Sequence, residues 1–166
     1  MTKQSSEIEI RKFQKQDAQE VKRLIEGIMQ SEFSDVLAAF PANDLENLSD
    51  YYGKAGEAFF VALSGSKIVG SIGVKKEDDR AALIRRIFVF PDFRGRQIGR
   101  HLLEKAIGFC KEVGYQEVIF KSTSKMKDAI KLFEDNGFHE KVHLKLGNTD
   151  LYKLTYFIRE NSPFSR

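Results

Sequence analysis

The sequence predicts an α+β fold, in which a mixed, mostly antiparallel sheet of six to seven strands is flanked by about four helices. Two apolar runs, 58–63 and 67–74, are separated by a short Ser-Gly-Ser segment, a pattern typical of a hairpin. The segment 87–103 passes from an apolar strand through a basic turn into an amphipathic helix, and a further strand follows at 117–121. A strand, helix and strand in succession predict one parallel pair joined by a right-handed crossover.

The N-terminal part is predicted to begin with a strand at residues 8–13, which is followed by a helix. Asp17 and Glu20 have the spacing of a capping box, which would open that helix. Between Asn43 and Tyr52, apolar residues at helical spacing predict a second, short helix.

Apolar patterns and turn residues define the remaining elements. In chain order they are a strand at 81–90, a helix at 97–113 that stops at Gly114, a helix capped by Ser122–Ser124 that ends at Asn136 and Gly137, and strands at 138–146 and 151–158.

Composition indicates one soluble domain with a core at about residues 7–158 of the 166 in the chain. No apolar run approaches the roughly 20 residues that a membrane helix needs, and no secretory pattern is present, so we expect a cytoplasmic protein without membrane contact. One cysteine and three histidines without ligand spacing predict no disulfide and no metal site. The net charge of +3 is mild, and it argues against a nucleic-acid partner.

The basic turn before the long helix predicts an anion site. A helix start leaves amide N–H groups without partners and carries partial positive charge, so it can bind a diphosphate. Three arginines, Arg94, Arg96 and Arg100, add charge, and Gly95 and Gly99 permit a close approach to the main chain.

The segments PDFRGRQIGRHLL and AIKLFEDNGF resemble the GCN5-related N-acetyltransferase (GNAT) superfamily, and the resemblance covers nearly the whole chain. The family's phosphate loop, an Arg or Gln followed by spaced glycines, corresponds to Arg94–Gly99. Gln97 stands where that loop usually has glycine. Its amide would still bind phosphate if its φ is negative, which we expect at a helix start.

The resemblance implies acetyl-CoA as co-substrate, with no metal. Its pantetheine arm would lie along the strand that precedes the phosphate loop, where that strand splays from its parallel neighbour. The residues implied to contact the co-substrate are Ile87, Phe88, Val89, Arg94, Gly95, Arg96, Gln97, Ile98, Gly99, Arg100 and Phe133.

The implied reaction is transfer of an acetyl group to a primary amine of a small molecule, an amino acid or a protein, by direct attack through a tetrahedral intermediate. A main-chain N–H would stabilise the oxyanion. Phe133 replaces the tyrosine that often acts as acid, and Met126 replaces a common asparagine. The base stays open between bound water, Glu57, Asp150 and Tyr152.

Residues implied to contact the acceptor are Phe33, Tyr51, Arg85 and Tyr152. Strand alternation puts Arg85 and Arg86 on opposite faces, so at most one of them faces a cleft. We expect each to be a solvated charge, with pairing of one of them to a substrate carboxylate as the alternative. Loss of the tyrosine and asparagine keeps a second function open, a catalytically weak acyl-CoA-binding sensor or interaction module. Aromatic residues on both faces of the last strand suggest a homodimer.

Overall fold

The computed structural model describes residues 7–39 and 41–158, with the side chains of residues 38 and 39 excepted. Its strands form one seven-stranded sheet in the order β1-β2-β3-β4-β5-β7-β6. The strands are β1 (Ile8–Lys12), β2 (Ala58–Ser64), β3 (Lys67–Lys76), β4 (Ala81–Val89), β5 (Glu117–Thr123), β6 (His139–Leu146) and β7 (Thr149–Phe157). The β4–β5 pair is parallel and the other pairs are antiparallel, so the predicted fold class is confirmed.

Four α-helices connect these strands among the described residues. They are α1 (Ala18–Glu32), α2 (Leu48–Tyr51), α3 (Ile98–Val113) and α4 (Lys127–Asp135), and short 3-10 turns occur at Lys15–Asp17, Ser34–Ala39, Asn43–Glu46 and Pro91–Phe93. The short second helix is confirmed, with a 3-10 turn ahead of it. Gly114 ends α3 with a φ of 101°, as predicted.

Two predicted helix caps are wrong. Asp17 precedes α1, but its carboxylate accepts hydrogen bonds from Arg11 and from the Gln14 amide, and Glu20 accepts one from the Ile68 amide of β3. Ser122 and Thr123 belong to β5, and Met126 is the residue that precedes α4. Ser124 accepts a hydrogen bond from the Asp150 amide of β7, whereas the buried Ser122 hydroxyl has no hydrogen-bond partner among the described residues.

The last strand is internal, which explains its aromatic residues. β7 pairs with β5 on one side and with β6 on the other. Tyr152 stacks on His143 with ring centroids 4.4 Å apart, and Tyr156 packs on Phe138 at 5.4 Å. These contacts lie within the chain, and the homodimer stays a prediction.

The sheet separates two hydrophobic cores. The larger core packs α3 and α4 on one face, and it includes Phe60, Leu102 and Phe133. The smaller core packs α1 and α2 on the other face, and it includes Ile25 and Tyr52. Both helical layers therefore end beside the centre of the sheet, where β4 and β5 meet.

The centre of the sheet opens into a gap. The β4–β5 ladder has its last pair at Ile84 and Phe120, although both strands continue beyond it. Opposite β3, the register of β4 shifts at Arg86, which has a φ of 55°. The Ser71 hydroxyl donates a 2.8 Å hydrogen bond to the Arg86 carbonyl. This β-bulge turns the outer half of β4 away from β5.

Candidate active site

A cavity of about 740 Å³ occupies the gap between β4 and β5. Its volume is in the range of small-molecule sites. Its walls come from the outer half of β4, the turn before α3, the end of α1, and the β5–α4 segment. The lining residues are Glu32, Phe33, Leu83, Ile84, Arg85, Arg86, Ile87, Phe88, Val89, Arg94, Gly95, Gly99, Phe120, Lys121, Lys125, Met126, Lys127, Asp128, Ala129 and Leu132.

The main chain of β4 at 85–89 is open toward the cavity. These residues have no pairing with β5, although β3 pairs with Arg85, Phe88 and Val89 from the other side. An exposed row of N–H and C=O groups is a template for an extended ligand that adds as a strand. The cavity can therefore hold a linear, amide-containing molecule along β4.

The turn that follows β4 carries unused donors. Within the described residues, the amides of residues 95–100 donate no hydrogen bond, and the first amide of the α3 turn with an acceptor is that of His101, which bonds to the Gln97 carbonyl. Because the helix start also carries partial positive charge, this turn is suited to an anion.

Arg94 forms an ion pair with the end of α1. Its guanidinium binds both oxygens of Glu32 at 2.8 and 2.9 Å, and its Nε donates to the Val89 carbonyl at 3.0 Å. The two residues join the end of α1 to the turn at the edge of the cavity. Arg94 therefore orients the turn, in addition to the charge it brings.

The expected conformation of Gln97 is wrong. Its φ is 66°, in the left-handed region, although we expected a negative value at a helix start. Glycine reaches this region without steric penalty, whereas another residue loses about 1 kcal/mol or more. The positive φ explains why the phosphate loop of the family usually has glycine at this position, and Gln97 adopts the same conformation with steric strain.

The two loop glycines differ in their surroundings. Gly95 has a φ of 79°, and a Cβ atom there would meet nothing within 4 Å. A Cβ at Gly99 would lie 3.2 Å from the Leu132 side chain of α4. Gly95 thus serves the turn, and Gly99 serves the close packing of α3 on α4.

Arg86 is buried, contrary to the solvated charge expected for it. Its Nη2 and Nε bind the two oxygens of Asp44 at 2.7 and 2.9 Å, and Asp44 is 0% exposed. The Tyr52 hydroxyl donates to the same carboxylate at 2.8 Å. Burial alone would raise the pKa of Asp44, but hydrogen bonds and charge from Arg86 outweigh it and hold the pKa below its usual value.

Arg85 lies on the same side of the sheet as Arg86, because the bulge interrupts the expected alternation. Arg85 contacts α2, where its Nη1 donates to the Tyr51 hydroxyl at 2.5 Å, while Arg86 contacts the preceding turn. The prediction of opposite faces is therefore wrong. Both arginines line the cavity.

The residues predicted to contact acetyl-CoA divide into two sets. Six of them line the cavity, namely Ile87, Phe88, Val89, Arg94, Gly95 and Gly99. The side chains of the others point to different surroundings: Ile98 is buried, Arg96 lies over the Phe93 ring, and Arg100 pairs with Glu104.

Phe133 is fully buried, so the structure does not place it at the cavity surface. Its ring stacks on Phe120 with centroids 3.8 Å apart and meets Phe138 edge-on. Phe120 itself lines the cavity, which makes Phe133 a support for the wall.

The candidate bases lie apart from one another. The Glu57 carboxylate bonds to Lys75 Nζ and to the Lys76 amide. The Asp150 Oδ2 atom lies 3.3 Å from His143 Nε2. Tyr152 lines a separate cavity of about 320 Å³ between α4 and β7. None of these three carboxylate and phenol groups lines the larger cavity. Burial and the charge of Asp150 raise the pKa of Tyr152, which opposes its use as a base.

Of the predicted acceptor contacts, Phe33 and Arg85 line the larger cavity, whereas Tyr51 reaches it through its bond to Arg85. Sequence reasoning missed Asp44 and the lysines at the cavity, Lys121, Lys125 and Lys127. The lysines carry no pattern distinct from a solvated surface. The only sequence feature that marks Asp44 is its position near the start of a predicted helix.

The described residues, 7–39 and 41–158, contain no helix with the length and apolarity needed to cross a membrane. They also contain no cluster of three or more histidine, cysteine or acidic side chains placed to hold a metal ion. The single cysteine, Cys110, is buried, and burial raises the pKa of its thiol to about 12.

Similarity to known proteins agrees with this geometry. The chain is 32% identical over 125 residues to a Danio rerio protein named N-acetylaspartate synthetase, with 74% of this chain and 42% of that protein aligned. It is 37% identical over 95 residues to an uncharacterised N-acetyltransferase of Methanocaldococcus jannaschii, with 54% and 42% aligned. The chain thus spans about half or less of the length of these curated relatives.

Solved structures share the fold. A GNAT-family acetyltransferase structure from Staphylococcus aureus has a TM-score of 0.77 at 26% identity, covering 92% of this chain and all of that one. A Salmonella typhimurium structure with acetyl-CoA has a TM-score of 0.74 at 17% identity, covering 94% and 97%. Residues 24–138 match the family model described as Acetyltransferase (GNAT) family. The chain therefore belongs to the GNAT acetyltransferase family.

Proposed function

We propose that the protein is an N-acetyltransferase that moves the acetyl group of acetyl-CoA to a primary amine. The observation that carries the proposal is one continuous feature. The open edge of β4 at 85–89 is followed, after one 3-10 turn, by the unpartnered amides of residues 95–100, of which Gly95 and Gly99 line the same cavity as the strand edge.

The residues present fit acetyl-CoA. The pantetheine arm is linear and contains amides, so it can pair with the open edge of β4 as an added strand. The diphosphate fits the turn, where amide donors, helix polarity and the exposed Arg96 favour negative charge. Lys127 adds positive charge on the opposite wall, and Lys125 beside it is paired with Asp35 at 3.5 Å.

The transfer needs no nucleophile from the protein. The amine nitrogen of the acceptor attacks the thioester carbonyl carbon, so a C–N bond forms, the C–S bond breaks, and the sulfur leaves as a thiolate. The amine loses a proton, and the thiolate gains one to become the thiol. A β4 amide at the bulge can donate to the carbonyl oxygen as charge develops there.

The base remains a choice between bound water, Glu57, Asp150 and Tyr152. The lining of the cavity favours water. A thiol with a pKa of roughly 8.5 is a tolerable leaving group near neutral pH, so the missing tyrosine hydroxyl weakens catalysis without preventing it.

The relatives support this proposal by name. Several are named N-acetyltransferases, and one is named for N-acetylaspartate, an acetylated amino acid. The Salmonella typhimurium structure contains acetyl-CoA. The cytoplasmic location and single-domain organisation remain part of the proposal.

A second function is favoured by Phe133 and Met126. The buried phenyl ring offers no hydroxyl to the leaving group, and Met126 offers no amide at the cavity wall. A protein of this kind would bind acyl-CoA and transfer slowly or not at all.

Two measurements test the proposal. Calorimetric titration compares acetyl-CoA with acetyl-pantetheine, which lacks the diphosphate together with the 3′-phosphoadenosine attached to it. We expect a loss of affinity of about 100-fold or more for the truncated ligand, since the amides of residues 95–100 then lose their partner. Equal affinity, or no binding of either ligand, would contradict the site.

The second measurement follows thiol release with a panel of primary amines, together with the mass gain of one acetyl group on the acceptor. Release above the rate of hydrolysis supports the transferase. Tight binding of acetyl-CoA without any transfer would identify the binding module instead.

A further inference from the structure

We propose that the acceptor amine carries a carboxylate, and that Arg85 binds it. The acceptor would be an amino acid or another small amine with an acidic group. This inference rests on the proposed function, and it assigns a specificity-determining residue at the same cavity.

Arg86 cannot take this role. Asp44 already neutralises it, since Arg86 donates to both carboxylate oxygens and Tyr52 donates a third hydrogen bond. Arg86 also donates to the Pro41 carbonyl at 2.8 Å. Its guanidinium is therefore paired and buried, with its side chain 4% exposed.

Arg85 lacks such a partner. Among the described residues, no carboxylate oxygen lies within 4.0 Å of its guanidinium, and its hydrogen bond goes to the Tyr51 hydroxyl. Asp44 is near, but Arg86 and Tyr52 use both of its oxygens. A partly buried cation without an anion is a position where a charged ligand group gains most.

The Arg85 head group is held in place before a ligand arrives. Its guanidinium carbon lies 5.4 Å from the centre of the Tyr51 ring, and Lys75 lies 4.0 Å from the same ring. Lys75 also donates to the Tyr51 carbonyl. Because Tyr51 is fixed on two sides, Arg85 loses little freedom when it binds a carboxylate.

The position along the strand distinguishes this site from the diphosphate site. Arg85 directly follows Ile84, the last β4 residue that pairs with β5, whereas the turn amides begin at residue 95. Four strand steps from Arg85 to Val89 alone cover on the order of 13 Å. A carboxylate at Arg85 therefore sits at the inner end of the gap, beside the bulge.

The β5 cation that faces Arg85 across the gap already has a carboxylate partner. Leu83 pairs with Ile119, so Lys121 is the next β5 side chain on the Arg85 face, and its Nζ lies 3.3 Å from a Glu77 carboxylate oxygen. Of the two acidic residues that line the cavity, Glu32 is bound to Arg94, and Asp128 lies on α4. Arg85 thus stays without a carboxylate partner at the inner gap, and this position favours an acidic acceptor.

The experiment compares Arg85→Met with the wild-type protein. The acceptors are amino acids and their carboxamide counterparts, with acetyl-CoA saturating and thiol release as the signal. In the wild type, kcat/KM should be higher for the carboxylate form. Arg85→Met should raise KM for that form by about 10- to 100-fold, as expected for a lost charged hydrogen bond, and should leave the carboxamide form within about twofold.

Arg23→Met is the matched control, because Arg23 lies exposed on α1 away from the cavity. It should change neither KM. Acetyl-CoA affinity, measured by calorimetry, should be unchanged in Arg85→Met, and circular dichroism verifies folding.

The possible failures are distinct. If the wild type acetylates amines equally well with and without a carboxylate, this inference is wrong and the transferase function stands. If Arg85→Met weakens acetyl-CoA itself while acceptor preference persists, Arg85 contacts the co-substrate instead. If no acceptor of either form is acetylated, the proposed function fails, and this inference fails with it.

Discussion

The Arg86 guanidinium and the Asp44 carboxylate form a two-point ion pair, with N–O distances of 2.7 and 2.9 Å. The pair joins the bulge of β4 to the 3-10 turn before α2, and so connects the cavity wall to the helical layer above it. Arg86 holds a φ of 55°, which is unusual for a residue with a side chain. The ion pair and the Ser71 hydrogen bond together keep the strand in this shape.

Asp44→Ala should lower the free energy of unfolding by about 3–5 kcal/mol, because it leaves the Arg86 charge buried without a partner. Denaturant titration at neutral pH measures the change. The matched control is Glu104→Ala, which removes the exposed pair with Arg100 and should change stability by less than about 1 kcal/mol. Equal effects of the two variants would show that the buried pair has no special role.

Acidification should destabilise the wild type through the same carboxylate. The pKa of Asp44 is lower in the folded state than in the unfolded chain, so its contribution is complete above about pH 4 and is lost as the pH falls further. Hydrogen bonds from Arg11 lower the pKa of Asp17 in the same direction. Unfolding titrations between pH 6 and 3 should therefore show a weaker pH dependence in Asp44→Asn than in the wild type. A parallel decline in both would contradict the assignment.

Gln97→Gly should stabilise the protein by about 0.5–1 kcal/mol, because glycine adopts the positive φ of this position without strain. Gln97→Ala removes the same side chain but keeps the Cβ atom, so it should bring no gain. Thermal and denaturant unfolding of the two variants separate the backbone effect from the loss of the side chain. Equal stability of the glycine and alanine variants would mean that the left-handed conformation carries no strain.

Gly99→Val should destabilise the fold as well as weaken acetyl-CoA binding, because its side chain would press on Leu132 of α4. Overpacking of this kind typically loses 1–3 kcal/mol. Adding Leu132→Ala should recover part of that stability without restoring the affinity. If Gly99→Val unfolds like the wild type, the contact between α3 and α4 is looser than the structure shows.

The pH dependence of transfer should follow the acceptor. If water accepts the amine proton, kcat/KM rises with pH toward the pKa of the free amine, and the profile shifts when a less basic acceptor is used. The rise of kcat/KM with pH should persist in Glu57→Gln, Asp150→Asn and Tyr152→Phe. If the rise is lost in one of these variants while acetyl-CoA still binds, that residue is the base.

The sequence was sufficient for the order of the elements and for the anion-binding turn, because both depend on local patterns. Apolar periodicity located the strands, and the glycines with Arg94 located the turn. The two wrong helix caps have different causes. Asp17 binds Arg11 of β1 and Glu20 binds the Ile68 amide of β3, so the strands take these carboxylates from the helix. Ser122 is part of β5, which extends further than the apolar pattern predicts.

The acceptor side of the site was less predictable, since it depends on a bulge. Strand alternation separates Arg85 from Arg86, and only the shifted register brings both to one side of the sheet. Asp44 and Arg86 are 42 residues apart in the chain, so no local pattern marks their pairing. The strain at Gln97 could not be predicted either, because the sign of its φ angle depends on the path of the backbone through the turn.

The early end of the β4–β5 ladder divides the sheet mechanically. Among the described residues, the main-chain hydrogen bonds between β1–β4 on one side and β5–β7 on the other are confined to the β4 end from Arg80 to Ile84. A ligand that fills the gap and hydrogen-bonds to both β4 and β5 would link the two halves of the sheet. Occupancy should then slow amide hydrogen exchange on β5 as well as on β4, which makes ligand binding a property of the whole sheet.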